Sequence, residues 1–286
     1  MGYFTNTVKT TVLLALLTAL MLWVGDLFGG TQGLIIAGIF VVLFNGVMYW
    51  WSDKIVLKMY GAKELPKDHK VTRMVEEVAR KAGLKTGEIP RAFIVENATP
   101  NAFATGRNPS HSVVAVTAGI IGLLTDEELR GVIAHEVSHI INRDTLIQTV
   151  AGVVAGVISY TAAIARWGAI FGGFGGRDRD SGGLIELLVI GILSPIIALI
   201  IQMAISRTRE YMADANAAKI IHSGKPLAHA LEKLERGVKM RPFGRGQGNP
   251  ATSSLFIVNP FRGSFLFEMF STHPPMQKRI EKLNSY

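Results

Sequence analysis

Apolar residues along this chain follow two patterns, long unbroken runs and short periodic ones. Four runs reach the roughly 20 residues that a helix needs to cross a bilayer: near Thr10 to Phe28, Gly33 to Trp51, Ile147 to Trp167 and Leu184 to Ile205. Trp50 and Trp51 close the second run, where indole rings favour a membrane–water boundary. Gly152 and Gly156 give the third a small-residue face that lets another helix approach closely. Gln148, Ser159 and Gln202 leave the third and fourth runs open to a second reading, as buried helices of a water-exposed domain.

Between the runs the pattern becomes periodic. Val71, Met74, Val75, Val78, Ala79 and Ala82 recur at helical spacing and stop at Gly83, which predicts an amphipathic helix over 69–83 with a glycine cap. Ala92 to Val95 and Ser112 to Thr117 predict short strands. Thr125-Asp126-Glu127-Glu128 is a capping box, so a helix starts there and runs through His139. Pro274 and Pro275 suit the start of a last helix over Met276 to Leu283.

Composition agrees with the long runs. The chain is 49 % hydrophobic and 18 % charged, with a mean hydropathy of +0.30, too apolar for an ordinary soluble chain of this length. Lys9 is the only basic residue ahead of the first run and no small-residue cleavage site follows, so that run reads as a retained anchor rather than a cleaved signal. The net charge of +8 raises the question of nucleic acid. No basic patch is interleaved with aromatic residues, which argues against that partner. Instead, residues 52–146 and 206–286 hold 13 Lys and Arg each, out of 30. By the positive-inside rule both regions and both termini are cytoplasmic, with short loops near 29–32 and 168–183 on the other side. Cysteine is absent. Disulfides are therefore excluded, and any metal must be held by histidine and carboxylate.

The candidate chemistry lies on the capped helix. His135-Glu136-Val137-Ser138-His139 places two imidazoles four residues apart on one helical face, with a carboxylate beside them. A catalytic zinc takes three protein ligands and keeps one position open. The third ligand expected here is Glu210, 71 residues beyond His139 and past two apolar runs. Asp214, one turn further on, is placed to accept the other N–H of a ligating histidine. Glu136 is then the general base that takes a proton from the attacking water. His273 is a candidate stabiliser of the developing oxyanion, or alternatively only part of the boundary of the last helix. Arg279 is a lesser candidate to face the same cleft. Asn101-Ala102-Phe103-Ala104 is read either as a turn or as an edge strand able to pair with an extended peptide backbone. Residues 237–264 are too long for an ordinary connection and read as a mobile segment or a flap.

The H-E-x-x-H run, Glu210 with Asp214, Asn101 to Ala104, and Ser271-Thr272-His273-Pro274 resemble the HtpX-type membrane zinc metalloproteases, relatives of the CAAX prenyl proteases. That resemblance implies an α-helical membrane protein carrying an α+β, gluzincin-like metalloprotease domain. About four transmembrane helices are expected, two of them inserted between the zinc-binding helices. Residues 1–52 would form a transmembrane hairpin, 53–146 the first part of the protease domain, 147–205 a second hairpin and 206–286 the second part. It implies one Zn2+ per chain at His135, His139 and Glu210, with Glu136 catalytic. It implies an inner-membrane, multi-pass enzyme that clears damaged membrane proteins under stress, with the bilayer, membrane-protein and peptide substrates, and other quality-control proteins as partners. The alternative class is a membrane adaptor whose zinc is non-catalytic. No internal repeat and no phosphate-cradling glycine motif is present.

Overall fold

A four-stranded mixed sheet carries the site. Its strands are β1 (Lys63–Glu64), β2 (Arg91–Val95), β3 (Ala102–Gly106) and β4 (Ser112–Thr117), in the spatial order β1-β2-β4-β3. β2 and β4 are parallel, and the two outer strands run antiparallel to their neighbours. The structure is a computed structural model; it describes residues 2–145, 207–240, 257 and 274–286. All of β3 and β4 is buried, so the period-2 alternation of a half-exposed sheet is missing there, as expected of strands covered on both faces.

Around the sheet pack α2 (Lys70–Lys81), α3 (Ala118–Leu123), α4 (Asp126–Ile141), a fifth helix described from residue 207 to 220 (α5), α6 (Lys225–Met240) and α7 (Met276–Leu283). The apolar stripe of α2 is buried at Val71, Met74, Val75, Val78 and Ala79. It ends at Gly83, whose φ of 85° closes the helix with Leu84 N–H donating to Ala79 O, a conformation open chiefly to glycine. α4 begins with the capping box that its sequence predicts. Glu128 N–H donates to Thr125 Oγ1 and Thr125 N–H to Glu128 Oε2. Glu128 also accepts from Lys233 of α6 at 2.7 Å, so the cap ties two helices together. Leu129, Val132, Ile133, Val137 and Ile140 of α4 join Leu227, Leu231 and Leu234 of α6 in the main core. α4 is thus buried on nearly every side, and polar groups on it must find protein partners.

α1 (Gly2–Met59) reverses at Gly30, where φ is 53° and ψ −144°. Its two arms, 2–29 and 31–59, lie side by side: a Cβ on Gly25 would sit 2.6 Å from Gly33 O and 2.5 Å from Ala37 Cβ. The end of the second arm meets the sheet, with Val56 and Leu57 packed on Phe93, Phe103 and Val113. Among the described residues no helix is long and apolar enough to cross a membrane. The first two of the four runs expected to span fall on the arms of α1; the third and fourth lie outside the described residues.

Candidate metal centre

α4 brings His135 and His139 to one face, with Nε2 of each 3.1 Å apart. α5 carries Glu210 across from them, Oε2 being 3.5 Å from His135 Nε2 and Oε1 3.4 Å from His139 Nε2. One ligand atom from each of the three lies within 4.8 Å of the others, and all three residues are buried. The sequence-predicted trio is therefore assembled, although Glu210 belongs to a different segment of chain.

Each histidine is backed by an aspartate. His135 Nδ1 is 3.0 Å from Asp214 Oδ1, and His139 Nδ1 is 3.2 Å from Asp144 Oδ2. A ring whose Nδ1–H donates to a carboxylate leaves Nε2 with a bare lone pair. Two such lone pairs and a carboxylate oxygen then converge in a water-poor space, an arrangement that is repulsive unless a cation sits between them. This donor set fits a divalent metal, and its N2O composition suits zinc. Protons are the competing cations. Burial lowers both histidines, but the carboxylates prevail: Asp214 and Glu210 raise His135, and Asp144 and Glu210 push His139 up to about 10.

Behind the aspartates stand two arginines. Arg279 of α7 donates from Nε to Asp214 Oδ2 at 2.9 Å and from Nη2 to Asp214 Oδ1 at 2.7 Å, a bidentate fork. Its Nη1 lies 3.0 Å from Glu210 Oε2, and its Nη2 approaches the His135 ring at 3.5 Å. Burial alone would raise the Asp214 carboxyl; Arg279 and His135 hold it below its ordinary value. On the other flank, Arg209 Nη1 contacts Asp144 Oδ1 at 3.2 Å.

Glu136, next to His135 on α4, is buried. Burial raises its carboxyl above the usual range, against the opposing pull of both histidines and the Ala104 backbone N–H. The Ala104 contact follows from strand register. Thr117 N–H donates to Asn101 O, so Asn101, Phe103 and Thr105 direct their backbone groups toward β4 while Ala102, Ala104 and Gly106 face outward. Asn101 to Ala104 thus lead into and form an edge strand that runs beside Glu136, rather than a turn. Its outward groups have partners in the chain: Ile257 N–H donates to Ala102 O at 3.4 Å and Thr145 Oγ1 to Gly106 O at 2.9 Å.

His273 lies outside the described residues. Asp144 and Arg209 were not among the residues picked out by sequence, and Arg279 enters far more deeply than a side chain that merely faces a cleft. An aspartate five residues beyond the second histidine was the signal available for Asp144.

A buried pair of imidazoles on one helix, a carboxylate from a second, and a further carboxylate adjoining the first define a metal-dependent hydrolase. Residues 66–286 match the model described as peptidase family M48, and the chain belongs to that family. It is 53 % identical over 282 residues to a protein from Thermococcus sibiricus named protease HtpX homolog, covering 96 % of this chain and 94 % of that one. Proteins with the same name from Pyrococcus furiosus, 52 % identical over 96 % of this chain and 94 % of theirs, and from Desulforapulum autotrophicum, 49 % identical over 97 % and 89 %, are similar throughout. The fold is shared with Ste24p from S. mikatae, with a TM-score of 0.54 at 20 % identity, over 99 % of this chain and 66 % of that one. The enzyme is therefore a metalloprotease with a mixed sheet and surrounding helices.

Proposed function

We propose that the protein is a membrane-bound zinc endopeptidase that cuts membrane proteins at their cytoplasmic regions as part of quality control. The observation that carries the catalytic half is the convergence of His135, His139 and Glu210 with Glu136 at the next position. Zinc at the trio would polarise the scissile carbonyl and acidify a water. Glu136 takes the proton of that water and hands it to the leaving amine, and its burial-raised affinity for protons suits both transfers. Asp214 and Asp144 hold the ring tautomers, while the β3 edge would bind an extended peptide without demanding a sequence by exchanging the weak Ile257 contact at Ala102 O for the substrate backbone.

The membrane half is supported by α1. Leu34, Ile35, Ile36, Ile39, Phe40, Val42, Leu43 and Val47 are exposed along its second arm, followed by exposed Trp50 and Trp51. Water-soluble surfaces rarely leave so long an apolar row open, and a bilayer is the medium that accepts it. Arg107, at the end of β3, stacks its guanidinium 4.6 Å above the Trp50 ring and donates to Trp50 O. The catalytic strand is thereby tied to the end of the apolar arm, within reach of membrane-protein loops.

The test is cleavage of a membrane-protein substrate by detergent-purified enzyme, treated with chelator and then rescued with zinc, beside Glu136→Gln. Cleavage should need zinc and fall by about 10²–10⁴-fold in Glu136→Gln. Equal cleavage by the two proteins would remove the protease chemistry from this site and leave the non-catalytic adaptor.

A further inference from the structure

The turn that follows α4 is built unlike an ordinary helix end. Asn142 caps the helix, and Arg143 then adopts a φ of 56°, the left-handed region that is unfavourable for a residue with a Cβ. That conformation brings Asp144 back to the helix it has just left, where its side chain is fully buried with Oδ2 at 3.2 Å from His139 Nδ1. Oδ1 of the same carboxylate meets Arg209 Nη1 at 3.2 Å, and Arg209 is itself 3 % exposed. Arg209 is the residue before Glu210. The pair therefore joins the helix of His135 and His139 to the helix of Glu210, and its members flank residues 146–206 in sequence. Thr145 anchors the same turn to the end of β3 through Gly106 O, and Asn216 of α5 donates to Asn142 Oδ1 at 3.4 Å.

Stability is a poor reason for such an arrangement. Desolvating a carboxylate and a guanidinium costs several kcal/mol each, and a buried pair often returns no more than an apolar replacement does. Backbone strain with a buried ion pair, set directly against one histidine, fits a positioning device instead. We propose that Asp144 and Arg209 are positioning residues of the metal centre. Asp144 accepts the His139 Nδ1–H, which leaves Nε2 as the donor and fixes the ring plane. Arg209 holds Asp144 in place and sets the helix of Glu210 at the right distance from α4. Neither touches substrate or metal; both act through His139 and Glu210. This rests on the reading of His135, His139 and Glu210 as the metal site, and it adds residues on which that site depends.

The experiment measures zinc affinity of the full-length, detergent-purified chain by competition with a chromophoric chelator, with Co2+ absorption spectra in parallel. His139→Ala tests the underlying reading, because it should abolish tight binding; binding indifferent to His139→Ala overturns the metal site itself. With that site upheld, Asp144→Ala should weaken zinc affinity by about 10–100-fold. Asp144→Asn, which keeps an acceptor of the same shape, should weaken it less and alter the Co2+ spectrum. Arg209→Gln should weaken affinity in the native background and make no further difference on Asp144→Ala, while Arg209→Lys restores most of it. Native affinity in Asp144→Ala or Asp144→Asn overturns the positioning proposal and leaves the metal site standing. So does a variant series that loses thermal stability without losing affinity in the folded protein, and so do additive effects of the two positions.

Discussion

The two flanks of the metal centre use the same three residue types and differ in how tightly they are built. His135 is backed by Asp214 and Arg279, with two hydrogen bonds at 2.9 and 2.7 Å and a further contact from Arg279 to Glu210. His139 is backed by Asp144, which among the described contacts meets Arg209 Nη1 at 3.2 Å without a bidentate fork. The first flank gathers three segments, α4, α5 and α7, and its arginine contacts two carboxylates at once. Among the described contacts the second joins α5 to the turn after α4. The fold thus separates a forked side, which holds Glu210 and His135 in one network, from a lighter side that meets His139 and the helix of Glu210. α5 serves both, because Arg209, Glu210 and Asp214 are all on it.

The largest effect expected from breaking this comparison comes from Arg279→Met. It would leave Asp214 and Glu210 buried without their guanidinium, and removing one partner of a buried pair costs about 3–5 kcal/mol. Arg209→Met should cost less, since its contact with Asp144 is not a bidentate fork and does not reach Glu210. Urea midpoints of the two variants, measured with metal removed, decide the matter; equal losses would mean that the two flanks are energetically the same.

Only one flank was legible in the sequence, and the reason is geometric. Asp214 stands four residues from Glu210 on a helix, so the helical period alone puts both on one face. Asp144 reaches His139 through a left-handed residue, and no propensity scale would assign that conformation to Arg143. Arg209 stands in an Arg-Glu run whose commonest meaning is a solvated helix face. The capping box of α4, the stripe of α2 and the last helix were readable because each is local. The strand order β1-β2-β4-β3 was not, since the parallel pairing of β2 with β4 is a long-range choice, and α6 received no assignment from its pattern. Ile257 falls within the 237–264 segment that reads as mobile or a flap, yet it is buried and donates to the β3 edge; nothing in its local sequence names the strand it will meet.

A smaller and more informative effect is the response to pH. His139 is raised from 6.5 to about 10 in the metal-free chain, and His135 is raised as well. A raised value means that the folded chain holds the proton more strongly than the unfolded one. Its contribution is therefore fully present below about 6.5 and is lost as pH rises through about 10. Metal displaces those protons, so zinc affinity should rise with pH across the same window. Thermal midpoints of the chelated protein should fall toward alkaline pH, and zinc should reverse the trend. Asp144→Asn should lessen the slope by removing its share of the His139 part, leaving the share of Glu210 and the part of His135. An unchanged slope in Asp144→Asn would show that the lighter flank contributes nothing to holding the proton.

The smallest effect should come from Thr145→Val, which keeps the shape of the side chain and removes its hydroxyl. Gly106 O would lose its donor, a change of about 1 kcal/mol for a typical hydrogen bond and somewhat more where no water replaces it. The consequence depends on what the turn after α4 is tied to. Asp144 faces the metal centre, whereas Thr145, the next residue, faces the β3 edge along which Ala102 and Ala104 direct their backbone groups outward. If the two ties are separable, Thr145→Val should raise KM for a peptide substrate by loosening that edge and leave zinc affinity at the native value. The opposite result, weakened zinc binding with KM unchanged, would mean that the turn moves as one piece and that strain released at β3 is transmitted to His139. KM and chelator-competition affinity, measured on the same preparation, distinguish the two, and with them whether the lighter flank is an independent support or an extension of the substrate strand.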